Sequence, residues 1–156
     1  MLSILTLNIK GLVSHQKQIA FYEYCKNTHS NLIFLQETNL SHDTTIVNPE
    51  KCHFFINPPT QPQSGVAIVF QTELFQQTEV ITHLNLVPGY LQVLNVKFEK
   101  KNYHLMNIYM PQNPQKTQKV ICEIQKYTNN VHQDSTIIIA GDWNVTLCEK
   151  DRKKLF

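Results

Sequence analysis

Five polar residues of the chain have side chains that suit metal-assisted phosphate chemistry. They are Asn8, Glu37, Tyr109, Asp142 and Asn144. The two carboxylates and two carboxamides offer the hard oxygen atoms that Mg²⁺ prefers, and Mg²⁺ is the usual partner of phosphate groups. The phenol can donate a hydrogen bond to a phosphate oxygen. Taken singly, each residue also suits a turn, a solvated strand end or a packing position, so the prediction depends on all five meeting.

These residues share one position relative to the predicted strands, because each follows or ends an apolar stretch. The stretches cover residues 2–7, 32–35, 105–108 and 137–139. In sheets built from strands with helical connections, ligands bind in the crevice beyond the carboxyl ends of the strands. The sequence therefore predicts that polar groups scattered along the chain converge on one pocket.

The most apolar of the stretches reads Ile-Ile-Ile-Ala over residues 137–140. A run of this kind predicts a strand that is buried on both faces. Gly141 is expected to end the strand in a sharp turn that presents Asp142 and Asn144. The alternative is an ordinary strand with an ordinary turn, since Gly, Asp and Asn are common turn residues.

The first third of the chain has the pattern of a βαβ-like unit. A helix is predicted from Ser14, which suits the N-cap position, to about His29, between the strands at 2–7 and 32–35. Its apolar stripe is assigned to Ile19, Phe21, Tyr22, Tyr24 and Cys25.

The middle of the chain predicts strands, and a helix follows them. Short strands at 53–56, 66–70 and 79–82 suit an antiparallel meander. Residues 90–98 and 103–109 suit a hairpin with a four-residue loop at 99–102. Asn113 and Pro114 predict a helix start, and apolar residues at helical spacing extend that helix over 115–130.

Length and composition favour one ordinary globular domain. The chain has 156 residues, a net charge of +2 and a single arginine, Arg152, so charge alone does not point to a polyanionic partner. Cys25, Cys52, Cys122 and Cys148 form no C-x-x-C pair, which predicts free thiols in a reducing compartment. The sequence shows neither a signal peptide nor a membrane span, so we expect a nuclear or cytoplasmic protein that is not secreted. No pattern in the sequence specifies an oligomeric state.

Five short motifs resemble the endonuclease/exonuclease/phosphatase superfamily, and within it the apurinic-type endonuclease domain of LINE-type non-LTR retrotransposons. They are Thr-Leu-Asn-Ile-Lys-Gly-Leu at 6–12, Leu-Gln-Glu-Thr-Asn-Leu at 35–40, Ser-Gly-Val-Ala-Ile at 64–68, Asn-Ile-Tyr-Met-Pro at 107–111 and Gly-Asp-Trp-Asn at 141–144. Asp151 and Arg152 resemble a pair that LINE domains carry shortly afterwards. The resemblance implies an α/β fold, a two-sheet α/β sandwich of this superfamily's type.

The resemblance also implies a role for each residue and Mg²⁺ as the cofactor. Glu37 would be the principal Mg²⁺ ligand, with Asn8 in the metal's shell. Tyr109 would hold the scissile phosphate, Asp142 would orient or deprotonate the attacking water, and Asn144 would position water and phosphate. The partner would be DNA, without a membrane or a small-molecule cofactor.

Three departures from the family pattern qualify these roles. Lys10 stands where repair enzymes have an aspartate, which favours the retrotransposon branch. Gln112 stands where an asparagine usually contacts DNA phosphate, with Asn113 one place later, so both are candidate DNA-binding residues. Trp143 replaces the commoner phenylalanine, a conservative change.

The family's closing Ser-Asp-His is absent from the sequence. Residues 1–156 therefore suit a single domain that is truncated at its carboxyl end, with its second half missing, and we expect little or no DNA nicking from it. The leading hypothesis is a DNA-nicking endonuclease domain. The alternatives are a phosphatase of the same superfamily and a non-catalytic DNA-binding remnant.

Overall fold

The chain forms two four-stranded sheets, in a computed structural model that describes residues 2–145. The strands of the first sheet, sheet A, are β1 (Ile4–Asn8), β2 (Leu32–Gln36), β3 (Cys52–Asn57) and β4 (Val66–Gln71), in the order β1-β2-β4-β3. Those of sheet B are β5 (Thr78–Val87), β6 (Leu91–Phe98), β7 (Lys101–Tyr109) and β8 (Thr136–Asp142), in sequential order. Each sheet is mixed, because β1/β2 and β7/β8 are parallel pairs and the other neighbours are antiparallel.

Helices cover the outer face of each sheet. Helix α1 (His15–Thr28) packs on sheet A, a short α2 (Thr72–Phe75) follows β4, and α3 (Pro114–Asn129) packs on sheet B. Ser14 and Asn113 cap the two long helices, since their side chains accept hydrogen bonds from the backbone N–H groups of Lys17 and Lys116. The predicted α/β two-sheet sandwich is confirmed.

Strand alternation explains the layers. In β2, Ile33 and Leu35 face α1, whereas Leu32 and Phe34 face sheet B, so the whole strand is buried. In β7, Leu105 faces sheet A, and Met106 and Ile108 face α3. Continuous apolar runs in β2 and β4 are the expected result of burial on both faces.

A buried carboxamide joins the two sheets. The side chain of Asn107 in β7 donates to the carbonyl oxygens of Leu35 (3.0 Å) and Ala67 (2.9 Å) in sheet A. Its Oδ1 accepts a hydrogen bond from Gln36 Nε2 at 2.9 Å. Asn107 is fully buried, so each of these polar atoms would otherwise lack a partner. The contact therefore fixes β7 against β2 and β4.

Strand β8 departs from the prediction in two ways. Ile139 is 42% exposed, so burial on both faces is wrong: β8 is an edge strand of sheet B within residues 2–145, and only one of its faces packs between the sheets. The expected end at Gly141 is also wrong, because the strand continues to Asp142, which pairs with Tyr109.

Two other local predictions are wrong, and one short element has no counterpart in the predictions. The β6–β7 loop has two residues, not four, because Glu99 and Lys100 both take left-handed conformations (φ 48° and 64°), as a tight type I′ turn requires. Strand β5 runs well beyond 79–82 and pairs in sheet B with β6, apart from the meander of β3 and β4. Short helix α2 was not expected.

The predicted stripe of α1 is partly wrong as well. Ile19 (50%) and Tyr24 (44%) are exposed, whereas Phe21, Tyr22 and Cys25 are buried as expected. Gln18 takes the remaining buried position because its amide bonds the carbonyls of Leu12 and Thr45 and accepts from the backbone N–H of Val47.

Within residues 2–145, Cys25, Cys52 and Cys122 are free, as predicted, and Cys148 lies outside the described residues. In the same range no helix combines the length and the apolar character that crossing a bilayer requires.

The Asn107 contact predicts a large difference between two asparagines of one strand. Asn107→Ala should lower the free energy of unfolding by about 1–3 kcal/mol, because buried carbonyls and the Gln36 amide lose their partner. Asn102→Ala, at an exposed position of β7, should change it by less than about 0.5 kcal/mol. Urea denaturation followed by circular dichroism measures both values. Equal losses would show that the carboxamide does not hold the sheets together.

Candidate active site

Glu37 lies directly after β2, where β1 and β2 end side by side with Asn8 opposite Gln36. The loops after the two strands bind each other, since the N–H of Gly11 donates to Glu37 O (2.7 Å) and that of Leu12 to Thr38 O (2.8 Å). Lys10, Glu37 and Asn39 all have left-handed backbone conformations, with φ of 50°, 52° and 52°. Strained backbone of this kind is held only where the surroundings define it closely, and it is common at functional sites.

The Ser64–Gly65 segment supports the loop that carries Glu37. The backbone N–H groups of Thr38 and Asn39 donate to the carbonyls of Gly65 (3.0 Å) and Ser64 (3.1 Å). Gly65 has φ 93°, and a Cβ there would lie 3.0 Å from Thr38 Oγ1. The glycine therefore lets β4 begin close against the Glu37 loop.

On sheet B, Tyr109 and Asp142 are neighbours at the ends of the parallel strands β7 and β8. The two backbones are unusually close one residue earlier, where a Cβ on Gly141 would lie 2.0 Å from Ile108 O. Gly141 is thus required by the close approach of β8 to β7, not by a turn. Beyond it, the N–H of Met110 donates to Asp142 O at 2.8 Å.

Hydrogen bonds join the ends of both sheets into one polar cluster. Glu37 Oε1 accepts from Tyr109 Oη and from Asn8 Nδ2, each at 2.8 Å. Asn8 Nδ2 also donates to Asp142 Oδ2 at 2.9 Å, so one amide group bridges the two carboxylates. The backbone N–H of Asn144 donates a hydrogen bond to Asp142 Oδ1 (3.0 Å), and its side-chain Nδ2 donates one to Met110 O (2.7 Å). The structure therefore brings all five predicted residues together.

The phenol of Tyr109 is held in its protonated form. Burial, the hydrogen bond to Glu37 and the negative charge of that carboxylate together raise the pKa of Tyr109 to about 12, while the hydrogen bond with Asn144 acts in the opposite direction. At neutral pH the hydroxyl is a donor, able to bond either a carboxylate or a phosphate oxygen.

The donor set of the cluster suits a hard divalent cation. Two carboxylates face one amide group, and their mutual repulsion favours a positive charge between them. Glu37 Oε2 makes no hydrogen bond to residues 2–145, and Mg²⁺ is commonly held by one or two carboxylates with water in its other positions. The described residues contain no group of three or more His, Cys, Asp and Glu side chains arranged to hold a metal.

A cleft opens beside the cluster along the outer edges of β1 and β8. It has a volume of about 800 Å³, and Asn8, Asp142 and Asn144 lie in its wall with Trp143. Trp143 is 41% exposed. The cleft therefore gives a large ligand access to the Asp142 carboxylate.

Gln112 and Asn113 lie apart from the hydrogen-bonded cluster. They line a neighbouring cavity that also includes Tyr109. Asn113 Oδ1 is engaged as the α3 cap, accepting from the N–H of Lys116 at 3.1 Å. The predicted Asp151 and Arg152 pair lies outside the described residues.

The sequence patterns did not identify three buried residues that position the site. Asn107 and Gln36 connect the strands that carry Tyr109 and Glu37, and Tyr90 stacks parallel to Tyr109 with ring centroids 6.0 Å apart. The sequence signal for Asn107 and Gln36 was a carboxamide side chain within an otherwise apolar strand. Burying such a side chain costs free energy unless each of its polar atoms has a hydrogen-bond partner.

Comparison with known proteins agrees with this fold. Residues 5–155 match the Endonuclease/Exonuclease/phosphatase family. The chain belongs to this family.

Its similar proteins include a transposon protein and two DNA-processing proteins. The Transposon TX1 uncharacterized 149 kDa protein of Xenopus laevis is 30% identical over 97% of this chain, which spans 12% of that protein. An exodeoxyribonuclease of Bacillus subtilis (strain 168) is 24% identical over 97% of this chain and 62% of its own length. The endonuclease domain of TRAS1, a telomere-specific non-LTR retrotransposon, has a TM-score of 0.68 at 13% identity, covering 94% of this chain and 60% of that domain. The chain thus spans less than two thirds of each.

The close approach at Gly141 predicts a specific effect of adding one methyl group. Gly141→Ala should lower the free energy of unfolding by about 1–3 kcal/mol, because the Cβ collides with the β7 backbone. The matched Ala140→Gly change adds no atom and should cost about 0.5–1 kcal/mol. Denaturation gives both values, and amide chemical shifts at Ile108 and Asp142 report strand displacement. Unchanged shifts in Gly141→Ala would contradict the close approach.

Proposed function

We propose that this chain is the amino-terminal part of a retrotransposon-type endonuclease domain that hydrolyses DNA phosphodiesters with Mg²⁺. The observation that carries the proposal is the hydrogen-bonded cluster in which Glu37, held by Tyr109 and Asn8, lies next to Asp142. Family membership supports nuclease or phosphoesterase chemistry, and the similarity to the TX1 and TRAS1 proteins favours the retrotransposon branch.

Glu37 is the best candidate to hold Mg²⁺, through its Oε2, which has no hydrogen-bond partner within residues 2–145. Asn8 keeps the two carboxylates at a fixed separation by donating to both. When bound, Mg²⁺ supplies positive charge that stabilises the phosphate oxygens as negative charge develops on them. Tyr109, protonated at neutral pH, donates its hydroxyl hydrogen to the scissile phosphate and adds to that stabilisation.

Asp142 orients the water and accepts its proton. The Asn144 N–H and the Asn8 amide each bind one oxygen of the Asp142 carboxylate, which fixes its direction. The Asn144 Oδ1 accepts no hydrogen bond from the described residues, so it is available to hold the same water. The water oxygen forms a new bond to phosphorus, the bond from phosphorus to the 3′ oxygen breaks, and that oxygen leaves as a hydroxyl with a proton from solvent.

We expect the reaction to be slow in this chain. None of the residues that line the cleft is a histidine, so within residues 2–145 the leaving oxygen depends on solvent for its proton. Loss of a positioned general acid typically costs about 10²–10⁴ in rate. The tests below therefore include metal binding, which is measurable without turnover.

Two substitutions separate the metal ligand from the base. Glu37→Gln should abolish calorimetric Mg²⁺ binding and reduce nicking of supercoiled plasmid by about 100-fold or more. Asp142→Asn should reduce nicking by about 10²–10⁴ through loss of the base, with folding unchanged by circular dichroism.

Glu79→Gln, which removes an exposed carboxylate from β5, serves as the matched control and should leave Mg²⁺ binding and nicking unchanged. Retained Mg²⁺ binding in Glu37→Gln would refute the metal assignment. Measurable nicking that is equal in the parent and in a Glu37→Gln/Asp142→Asn double variant would identify a contaminating nuclease and refute the endonuclease proposal.

A further inference from the structure

A second cavity adjoins the catalytic cluster on its sheet B side. Its volume is about 330 Å³, and Tyr109 belongs both to its wall and to the cluster around Glu37. The other walls come from the turn at 61–63, from Tyr90 and from the first turn of α3. A chain of phosphates that placed one phosphate at Tyr109 would therefore have this cavity directly beside it.

The cavity carries a positive charge, whereas the catalytic cluster carries negative charge. Lys116 is the single charged residue in its lining, and the other side chains are neutral. Lys116 Nζ makes no ion pair with the residues of the 2–145 range; it bonds the neutral Gln61 Oε1 at 2.6 Å. The ammonium charge is thus uncompensated within the described part of the chain, next to a cluster with two carboxylates.

The position of Lys116 is set by the fold. Its backbone N–H donates to the Asn113 cap at 3.1 Å, and the next residue, Thr117, anchors the helix start through its hydroxyl to Pro111 O at 2.6 Å. Its Nζ lies 5.5 Å from the centre of the Tyr90 ring, an arrangement in which the ring face attracts the cation.

The burial of Tyr90 limits the kind of ligand that the cavity can bind. The residue is 3% exposed, its ring is nearly parallel to that of Tyr109 (7°), and its hydroxyl has no hydrogen-bond partner among the described residues. Because the Tyr90 ring is almost completely buried, it is not open for a base to stack on. The accessible chemistry is one cation among carboxamides, which suits a phosphate.

We propose that this cavity, with Lys116 as its charged group, binds the phosphate of the nucleotide next to the scissile one. The inference rests on the proposed nuclease function and adds a binding residue to it. Gln61 is a neutral partner that a phosphate oxygen can replace, and Gln112 and Asn113 line the same cavity. DNA binding would therefore place one phosphate at the metal site and the neighbouring one at Lys116.

The test compares two lysines that differ in distance from the site. Lys116→Gln removes the proposed phosphate contact, whereas Lys101→Gln removes the same charge from the opposite end of β7. The binding of a short fluorescein-labelled duplex is measured by anisotropy over a range of NaCl concentrations, with Ca²⁺ in place of Mg²⁺. For Lys116→Gln we expect affinity to fall on the order of tenfold and the salt slope to decrease by about one.

Lys101→Gln should retain the parent slope, and Lys116→Arg should restore most of the affinity. A Lys116→Gln slope equal to that of the parent would overturn the subsite. If nicking by the same preparations still depends on Glu37, the nuclease proposal survives that result and only the subsite fails. A parent chain that neither binds nor nicks DNA would overturn both.

Discussion

The side-chain amide of Asn107 is the contact on which the geometry of the site depends. It bonds two carbonyls of sheet A and the amide of Gln36 from a fully buried position in sheet B. Glu37 follows Gln36 directly, and Tyr109 lies two residues after Asn107 in the same strand. Because apolar packing between sheets is non-directional, it tolerates sliding that hydrogen bonds of this kind do not. The amide therefore aligns the sheets at the point where the candidate catalytic side chains meet.

Strain in the backbone accompanies that alignment. Four residues in or near the cluster have left-handed backbone conformations, with φ between 49° and 52°. They are Lys10, Glu37, Asn39 and Asn144. Such conformations cost on the order of 1 kcal/mol or more per residue. Backbone hydrogen bonds from the loop after β1 to the loop after β2, and from the Thr38 and Asn39 N–H groups to the 64–65 segment, offset that cost. The site is preorganised because the fold holds its loops in conformations they would not otherwise adopt.

The acidic and basic side chains near the site occupy separate positions. Asn8 joins the carboxylates of Glu37 and Asp142, and Lys116 lies beyond Tyr109 without an acidic partner among residues 2–145. The carboxylates of Glu37 and Asp142 repel a polyanion unless a metal is bound between them, whereas Lys116 attracts it. Under the proposed nuclease function, this division would let a chain with a net charge of only +2 bind nucleic acid.

The sequence by itself determined both long helices, the approximate positions of the strands and the candidate residues. Periodicity and capping residues identified both long helices, and polar residues at the ends of apolar runs identified Asn8, Glu37, Tyr109 and Asp142. These signals are local, since a cap or a strand pattern depends on residues a few positions apart.

The tertiary structure decided which of these residues touch, and through which atoms. Asn8 and Asp142 bond across 134 positions of sequence, and Asn107 satisfies carbonyls 40 and 72 positions away. It also decided that Ile139 is exposed at the edge of sheet B, that Gly141 serves a close backbone approach, and that Gln18 is buried in α1. Burial and register depend on partners that are distant along the chain, so no local pattern carries that information.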